Sequence, residues 1–261
     1  MELQYTAFEK RDQIGFITID NPAAMNAITA ESAPEIAYLV HRCSDEEGIR
    51  AVVLRGANGK FCGGGDVRAM KARNDAGRPG NNPGMRAYAE MILAIRNCEK
   101  PVVAWIEGAC AGAGISLALA CDLIAAEDCK FVFAFVNIGY VPDMGASYLL
   151  TRTVGKTKAA ELFMLGNRFT GKEAKDWGVI TDAVPADQLE ETVMNLANKL
   201  ANGPTLSYAR IKRLINRAML AGIETCMVNE GEYQYFLSHT RDHQEAVNAF
   251  IEKRKPEFLG R

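Results

Sequence analysis

With 261 residues, 48% hydrophobic and 24% charged, the chain has ordinary globular composition and the length of one large domain, or of one domain with an appendage. Its 30 basic and 32 acidic side chains leave a formal net charge of −2, which excludes a global basic field for nucleic acid or a membrane surface. Seven scattered cysteines without a C-x-x-C pair argue for reduced thiols in a cytoplasmic compartment and against a disulfide framework.

The start, Met-Glu-Leu-Gln-Tyr5, has neither the basic region nor the apolar run of a signal peptide. Ile14 to Asp20 (IGFITID) reads as a strand and Ala30 to Arg42 as a helix. Ala51 to Arg55, Pro101 to Ile106 and Leu123 to Ala126 are short β-rich runs separated by helical stretches, an alternation that favours an α/β core. Residues 71 to 85 (KARNDAGRPGNNPGM) read as a mobile loop beside the site. The longest uncharged run, Gly108 to Cys121, is short of the ~20 apolar residues that span a bilayer. From Gly203 onward the pattern turns helical. Ile211, Leu214, Ile215, Ala218 and Met219 recur as one apolar face, to be buried against the core or another subunit. A second helical stretch covers roughly Glu230 to Lys253. The expected division is a core over 1–200 and a helical C-terminal element over 201–261.

Two glycine-rich segments each leave a strand and enter a helix: Lys60-Phe-Cys-Gly-Gly-Gly-Asp-Val67 and Glu107-Gly-Ala-Cys-Ala-Gly-Ala-Gly-Ile-Ser116. Glycine lets a ligand approach the backbone, and a helix N-terminus aims unpaired N–H groups at negative charge. Two such termini converging on one oxygen make an oxyanion hole. Rival motifs fail on detail. Gly112-Ala-Gly114-Ile-Ser-Leu117 lacks the third glycine of the dinucleotide fingerprint, and Gly155-Lys156-Thr157 lacks the earlier glycine of a P-loop, where Leu150 stands.

These segments, with Asn21-Pro-Ala-Ala-Met-Asn-Ala-Ile28, Lys100-Pro-Val-Val-Ala104, Cys121-Asp122, Gly139-Tyr-Val-Pro-Asp143-Met-Gly145, the Gly171 to Val179 run and the Ala249 to Phe258 run, resemble the enoyl-CoA hydratase/isomerase (crotonase) superfamily along essentially the whole chain. The resemblance implies an α/β, crotonase-like spiral of ββα turns with a helical C-terminal trimerisation element, assembled as a homotrimer or a dimer of trimers. It also implies an acyl-CoA thioester substrate, coenzyme A being part of the substrate, with no metal or redox cofactor; the net charge adds the expectation of no nucleic-acid or membrane partner. By motif, the oxyanion-hole donors are the N–H groups of Gly65 and Ala113. Ala24, Met25, Ala27, Gly63, Gly64, Asp66, Val67, Ser116, Phe135 and Tyr140 fall at substrate-binding positions. Phe250 and Lys253 match residues that reach the adenine and 3′-phosphate of CoA from a neighbouring subunit; an ordinary helix end is the other reading.

The hydratases of this superfamily hold water between two glutamates. Here the first position is Ser116, expected to face the site, and the second is Phe135, expected on a strand over Phe131 to Asn137. The remaining well-placed acid is Asp143, which resembles the aspartate of dienoyl-CoA isomerases and of ring-epoxide isomerases of phenylacetyl-CoA degradation. It reads either as the acid/base of a double-bond migration or as the N-cap of a helix beginning at Met144. Its apolar neighbours Val141, Pro142 and Met144 push its pKa up and a helix N-terminus pushes it down. Asp66 reads as an N-cap lining the ligand loop. Cys62 has no histidine nearby in sequence to activate it. His239 and His243 share metal-ligand spacing without a zincin glutamate, and read as a solvated face. Arg210, Arg213 and Arg217 form a basic stripe for solvent or subunit contact. The expected activity is enoyl-CoA isomerisation. The alternatives are hydration on the same fold and a non-catalytic acyl-CoA- or RNA-binding homologue.

Overall fold

A computed structural model describes residues 1–78 and 84–261. The chain runs β1 (Thr6–Arg11), β2 (Ile14–Ile19), α1 (Ser32–Asp45), β3 (Ala51–Gly56), α2 (Val67–Asp75), α3 (Met85–Asn97), β4 (Val102–Ile106), β5 (Cys110–Ala111), α4 (Ala113–Ala120), β6 (Leu123–Glu127) and β7 (Lys130–Val132). It continues with α5 (Ala146–Leu165, kinked at Gly155), β8 (Arg168–Thr170), α6 (Gly171–Asp176), β9 (Asp182–Val184), α7 (Ala186–Ala201), α8 (Thr205–Ala218), α9 (Ile223–Ser238) and α10 (Arg241–Glu252).

The strands form two layers. A six-stranded sheet has the order β1-β2-β3-β4-β6-β9, parallel except for the β1–β2 hairpin. A smaller sheet has the order β5-β7-β8, and single bridges extend its direction from Cys62 to Cys110 and from Ile28 to Gly65. Each turn of chain therefore gives one strand to the large sheet, one short segment to the small layer, and then a helix.

Side-chain alternation explains why the large sheet is covered on both faces. Ile14, Phe16, Ala51, Val53, Val103 and Trp105 point to one face. There they meet Leu189, Val193, Ala197 and Ala201, a stripe repeating every fourth residue along α7. Ile17, Ile19, Val52, Leu54, Val102 and Ala104 point to the other face and pack with α1, α3, α4 and α5 in the main core.

Several expectations need correction. Residues 71–75 lie in α2 and are helical, because Asp66 caps that helix; residues 79–83 of the proposed loop lie outside the described residues. The strand expected over Phe131 to Asn137 ends at Val132, and Phe135 begins a short 3-10 turn, Val136–Ile138. The helix after Asp143 starts at Ala146, not Met144, since Met144 and Gly145 both take positive φ. The stretch over Glu230 to Lys253 is two helices. The break at Thr240, whose hydroxyl accepts from the His243 N–H, puts His239 and His243 on different elements.

Much of the apolar face of α8 does not pack on the core: Ile211 is 49% and Ile215 58% exposed, while Met219 at its end does pack against the main core. The buried side carries Ala209 and Lys212 instead. The reason is Asp122, whose carboxylate sits between the Val102 N–H and the Lys212 ammonium, each at 2.7 Å. A carboxylate at the sheet end needs a cation, and that need outranks the apolar pattern of α8 in choosing which side faces inward. Arg210 and Arg213 of the basic stripe both pair with Glu99. Arg50, itself buried, ties the C-terminal region to the core through Thr205 Oγ1, the Gly203 carbonyl and the Phe258 carbonyl.

Candidate active site

The two glycine-rich segments lie side by side because their backbones bond directly. The Phe61 N–H donates to the Glu107 carbonyl at 2.8 Å, and the Cys62 N–H to the Ala109 carbonyl at 2.9 Å. The Ala111 N–H returns a bond to the Cys62 carbonyl at 3.1 Å. Behind them, Gly112 N–H donates to Val132 at 2.9 Å, and in front, Ile28 N–H donates to Gly64 at 2.9 Å. Two glycines permit this approach. Gly64 adopts φ +110°, and a Cβ there would lie 3.0 Å from the Ala111 carbonyl oxygen. A Cβ on Gly114 would lie 2.6 Å from the Cys62 carbonyl oxygen, so α4 can press its first turn against the 62–65 loop only without one.

Among the N–H groups of these loops that donate to nothing among the described residues are those of Gly65 and Ala113. Ala113 is the first residue of α4, where the ladder leaves N–H groups unpaired and the helix dipole is positive. Both residues line one cavity of about 150 Å³, with Tyr140, Asp143 and Met144. A wider outer groove of about 560 Å³, lined by Ala24, Met25, Gly63 and Val67, shares Gly65, Asp66, Thr29 and Glu31 with it. The two adjoin along these four residues and make up the channel of the site, with Gly65 on both and Ala113 on the inner space. Asn26, in a left-handed conformation, holds the 21–27 turn at the mouth by donating to the Ala57 and Lys60 carbonyls and accepting from the Asn21 N–H.

The other expected residues sort clearly. Asp66 accepts from the N–H groups of Arg68 and Ala69, so it caps α2 while lining the channel. Ala27 is buried behind the wall. Ser116 does not line the cavity: it is fully buried, and its hydroxyl bonds back to the Gly112 carbonyl four residues earlier at 3.4 Å, as helical serines do. Phe135 is also buried and lines neither space. Phe250 is 85% exposed, and Lys253 ends α10; neither reaches the channel within one chain. Cys62 is fully buried, with its thiol pushed up to about 11 by burial, so it holds no nucleophilic thiolate. All seven cysteines are free thiols.

Asp143 is not a cap. The following helix takes Gly145 as its N-cap without a side-chain bond, and only the backbone carbonyl of Asp143 is used, accepting from Ala146 N–H at 3.0 Å. The carboxylate oxygen Oδ1 is buried without a hydrogen-bond partner. Burial pushes its pKa above the ordinary carboxylate value, opposed in part by its own backbone N–H. Three further cavity residues carried no motif in the sequence: Glu31, Arg73 and Tyr88. Arg73 lay in the segment read as a loop. Tyr88 lies on α3, where only its spatial neighbours mark it out. Burial raises the Tyr88 phenol pKa, Arg73 opposes that, and Asp143, Glu31 and Asp66 add to it.

The raised pKa of Asp143 has a consequence for stability. Between the unfolded and folded pKa values the folded chain binds more protons, so stability falls as pH rises through that interval. Asp143→Asn is therefore expected to unfold at a higher temperature than the wild type at pH 7. The gap should close as the pH drops below the ordinary carboxylate range, where the wild-type group is neutral too. Thermal melts across pH measure this; a pH-independent gap, or none, contradicts the assigned shift.

Comparison with known proteins follows the same lines. Residues 9–261 match the family model for enoyl-CoA hydratase/isomerase. A 1,2-epoxyphenylacetyl-CoA isomerase from Escherichia coli (strain K12) is 34% identical, the match covering 94% of each chain. A probable enoyl-CoA hydratase from Rhodobacter capsulatus is 34% identical over 97% of each. The crystal structure of an enoyl-CoA hydratase from Polaromonas sp. JS666 superposes with a TM-score of 0.92 at 29% identity, covering 97% of this chain and 99% of that one. The layered spiral, the paired glycine loops with their free N–H groups, and these matches agree: the chain is a member of the enoyl-CoA hydratase/isomerase family, a crotonase-fold enzyme family acting on acyl-CoA thioesters.

Proposed function

We propose that this enzyme is an enoyl-CoA isomerase that moves a carbon–carbon double bond using Asp143 as its single acid/base. The observation that carries this reading is the buried, unpartnered Asp143 carboxylate oxygen on the wall of the cavity that also holds the Gly65 and Ala113 N–H groups. A carboxylate whose buried oxygen lacks a partner is a better proton acceptor than one in water. The other acids of the cavity are placed differently: Asp66 is engaged in capping α2, and Glu31 is exposed.

In the proposed reaction the thioester oxygen accepts from the two free N–H groups. Asp143 removes a proton from C2 of a 3-enoyl-CoA, the electrons move into a dienolate held by those donors, and the same carboxyl returns a proton at C4. Hydration needs a water held from two sides. Ser116 is committed to Gly112 and Phe135 is apolar, so that arrangement lacks support here. The name of the Escherichia coli relative favours isomerisation and that of the Rhodobacter relative hydration, so only assay separates them.

Wild-type enzyme given a 3-enoyl-CoA is expected to yield the 2-enoyl-CoA with little 3-hydroxyacyl product. Asp143→Asn should lose about 10²–10⁴-fold in kcat while retaining thioester binding. The acid limb of the wild-type kcat profile should lie above the ordinary carboxylate range, because the base must be ionised and its pKa is raised. Wild-type turnover by Asp143→Asn, or rapid hydration of 2-enoyl-CoA by the wild type, contradicts this reading.

The same reading makes the enzyme a cytoplasmic oligomer, a trimer or dimer of trimers. Exposed Ile211, Ile215, Ile223, Met227 and Phe250 on α8–α10 support subunit contacts, and the free thiols support a reducing compartment. The division into a 1–200 core and a 201–261 assembly element belongs to this proposal. In it, Phe250 and Lys253 serve the nucleotide end of CoA in a neighbouring subunit. Lys253→Ala should then raise KM for CoA thioesters several-fold but leave KM unchanged for thioesters lacking the 3′-phosphate. Equal effects on both substrates would remove Lys253 from CoA binding.

A further inference from the structure

Among the described residues, three buried side-chain polar atoms have no hydrogen-bond partner: Asp143 Oδ1, Arg73 Nε and Trp105 Nε1. Trp105 faces α7 across the large sheet, whereas Asp143 and Arg73 line the same cavity. Folded proteins satisfy nearly all such atoms, and each one left over calls for a partner such as ordered water, or for a catalytic or binding role. Asp143 is accounted for by proton transfer. Arg73 is not. A guanidinium carries five donors and no acceptor, so it answers to an oxygen and has nothing to offer a plain hydrocarbon. Tyr88, a second potential donor, lines the cavity beside it, and its phenol feels the charge of Arg73.

Size and charge narrow the ligand further. The cavity volume of about 150 Å³ equals that of engineered cavities that take up one benzene molecule, so it suits an acyl group of about six carbons or one ring. Glu31, Asp66 and Asp143 line the same cavity as Arg73, its one cationic lining residue among the described residues, so a carboxylate would meet three acids for one arginine. A neutral oxygen accepts from Arg73 and Tyr88 without that repulsion.

We propose that the acyl group taken by this site is compact and carries a neutral oxygen function, a hydroxyl, carbonyl or ether, beyond the reacting carbons, held by Arg73 and Tyr88. This rests on the reading of the cavity as the acyl pocket, but not on Asp143 being a base. A site built to donate to a substrate oxygen discriminates against the analogue that lacks it, because the donors are then desolvated without partners.

Saturated thioesters, which cannot isomerise, isolate this claim from the reaction. Calorimetric titration of the full chain with hexanoyl-CoA, with 4-, 5- and 6-hydroxyhexanoyl-CoA and with adipoyl-CoA gives the comparison. At least one hydroxy thioester is expected to bind about 10-fold tighter than hexanoyl-CoA, and adipoyl-CoA no tighter than hexanoyl-CoA. Arg73→Met should abolish the hydroxyl preference, and Tyr88→Phe should reduce it. If no hydroxy thioester is preferred by the wild type, or if the preference survives both substitutions, the assignment is overturned. Tightest binding of adipoyl-CoA overturns the neutral-oxygen claim. The wild-type series decides the matter even if a variant fails to fold. A positive result alongside an inactive isomerase assay would discard the reaction class and leave the oxygen recognition standing. Failure to bind any thioester would discard the acyl-CoA site itself.

Discussion

The backbone bonds between residues 61–62 and 107–111 are the constraint on which the rest of the site depends. Three hydrogen bonds, Phe61 to Glu107, Cys62 to Ala109 and Ala111 to Cys62, hold two chain turns in register. The register brings the loop that ends at Gly65 against the first turn of α4. It leaves the N–H groups of Gly65 and Ala113, two residues that line the cavity, without a partner among the described residues. In the proposed reaction these N–H groups are donors fixed before substrate arrives, and preorganised donors stabilise developing charge most effectively because nothing must reorient. Around this seam the requirements are steric. Gly64 and Gly114 stand where a Cβ would strike backbone oxygen, at 3.0 and 2.6 Å.

On the lining of the same cavity, the chain keeps a carboxyl group whose charged form is costly. Asp143 follows a short 3-10 turn and precedes two residues of positive φ, Met144 and Gly145. That path holds the carboxyl at the cavity while the next helix is capped without it. A capping aspartate would be satisfied and acidic; this one is unpartnered, with a raised pKa. In the proposed reaction, satisfaction and reactivity trade against each other at this residue. The same trade holds at Arg73, whose Nε is likewise left without a partner on the cavity wall.

Much of the site was legible in the sequence because glycine and capping requirements are local. The segments 60–67 and 107–116 announce tight approach and helix entry, and Asp66 reads correctly as a cap. The four runs identified as strands became β2, β3, β4 and β6, since buried parallel strands need short, continuous apolar stretches. What failed was non-local. The apolar stripe of α8 gave no sign that Asp122 would demand Lys212 on the core side, and Ile211 and Ile215 stay exposed in the single chain. Ser116 was expected to face the cavity from its spacing alone, yet its hydroxyl turned back to the helix carbonyl. Arg73 and Tyr88 belong to no motif. They become site residues only because α2 and α3 pack beside the Asp143 turn, a fact of tertiary structure.

The central claim is that one thioester oxygen sits between two backbone donors with Asp143 across from it. A crystal structure of Asp143→Asn bound to a 3-enoyl-CoA tests this most directly, since the substitution halts turnover and keeps the side chain's shape. The account predicts the thioester oxygen about 2.7–3.1 Å from both the Gly65 and Ala113 nitrogens, with C2 or C4 facing residue 143. A thioester oxygen bound elsewhere, or an acyl chain that turns its reacting carbons away from residue 143, would contradict it.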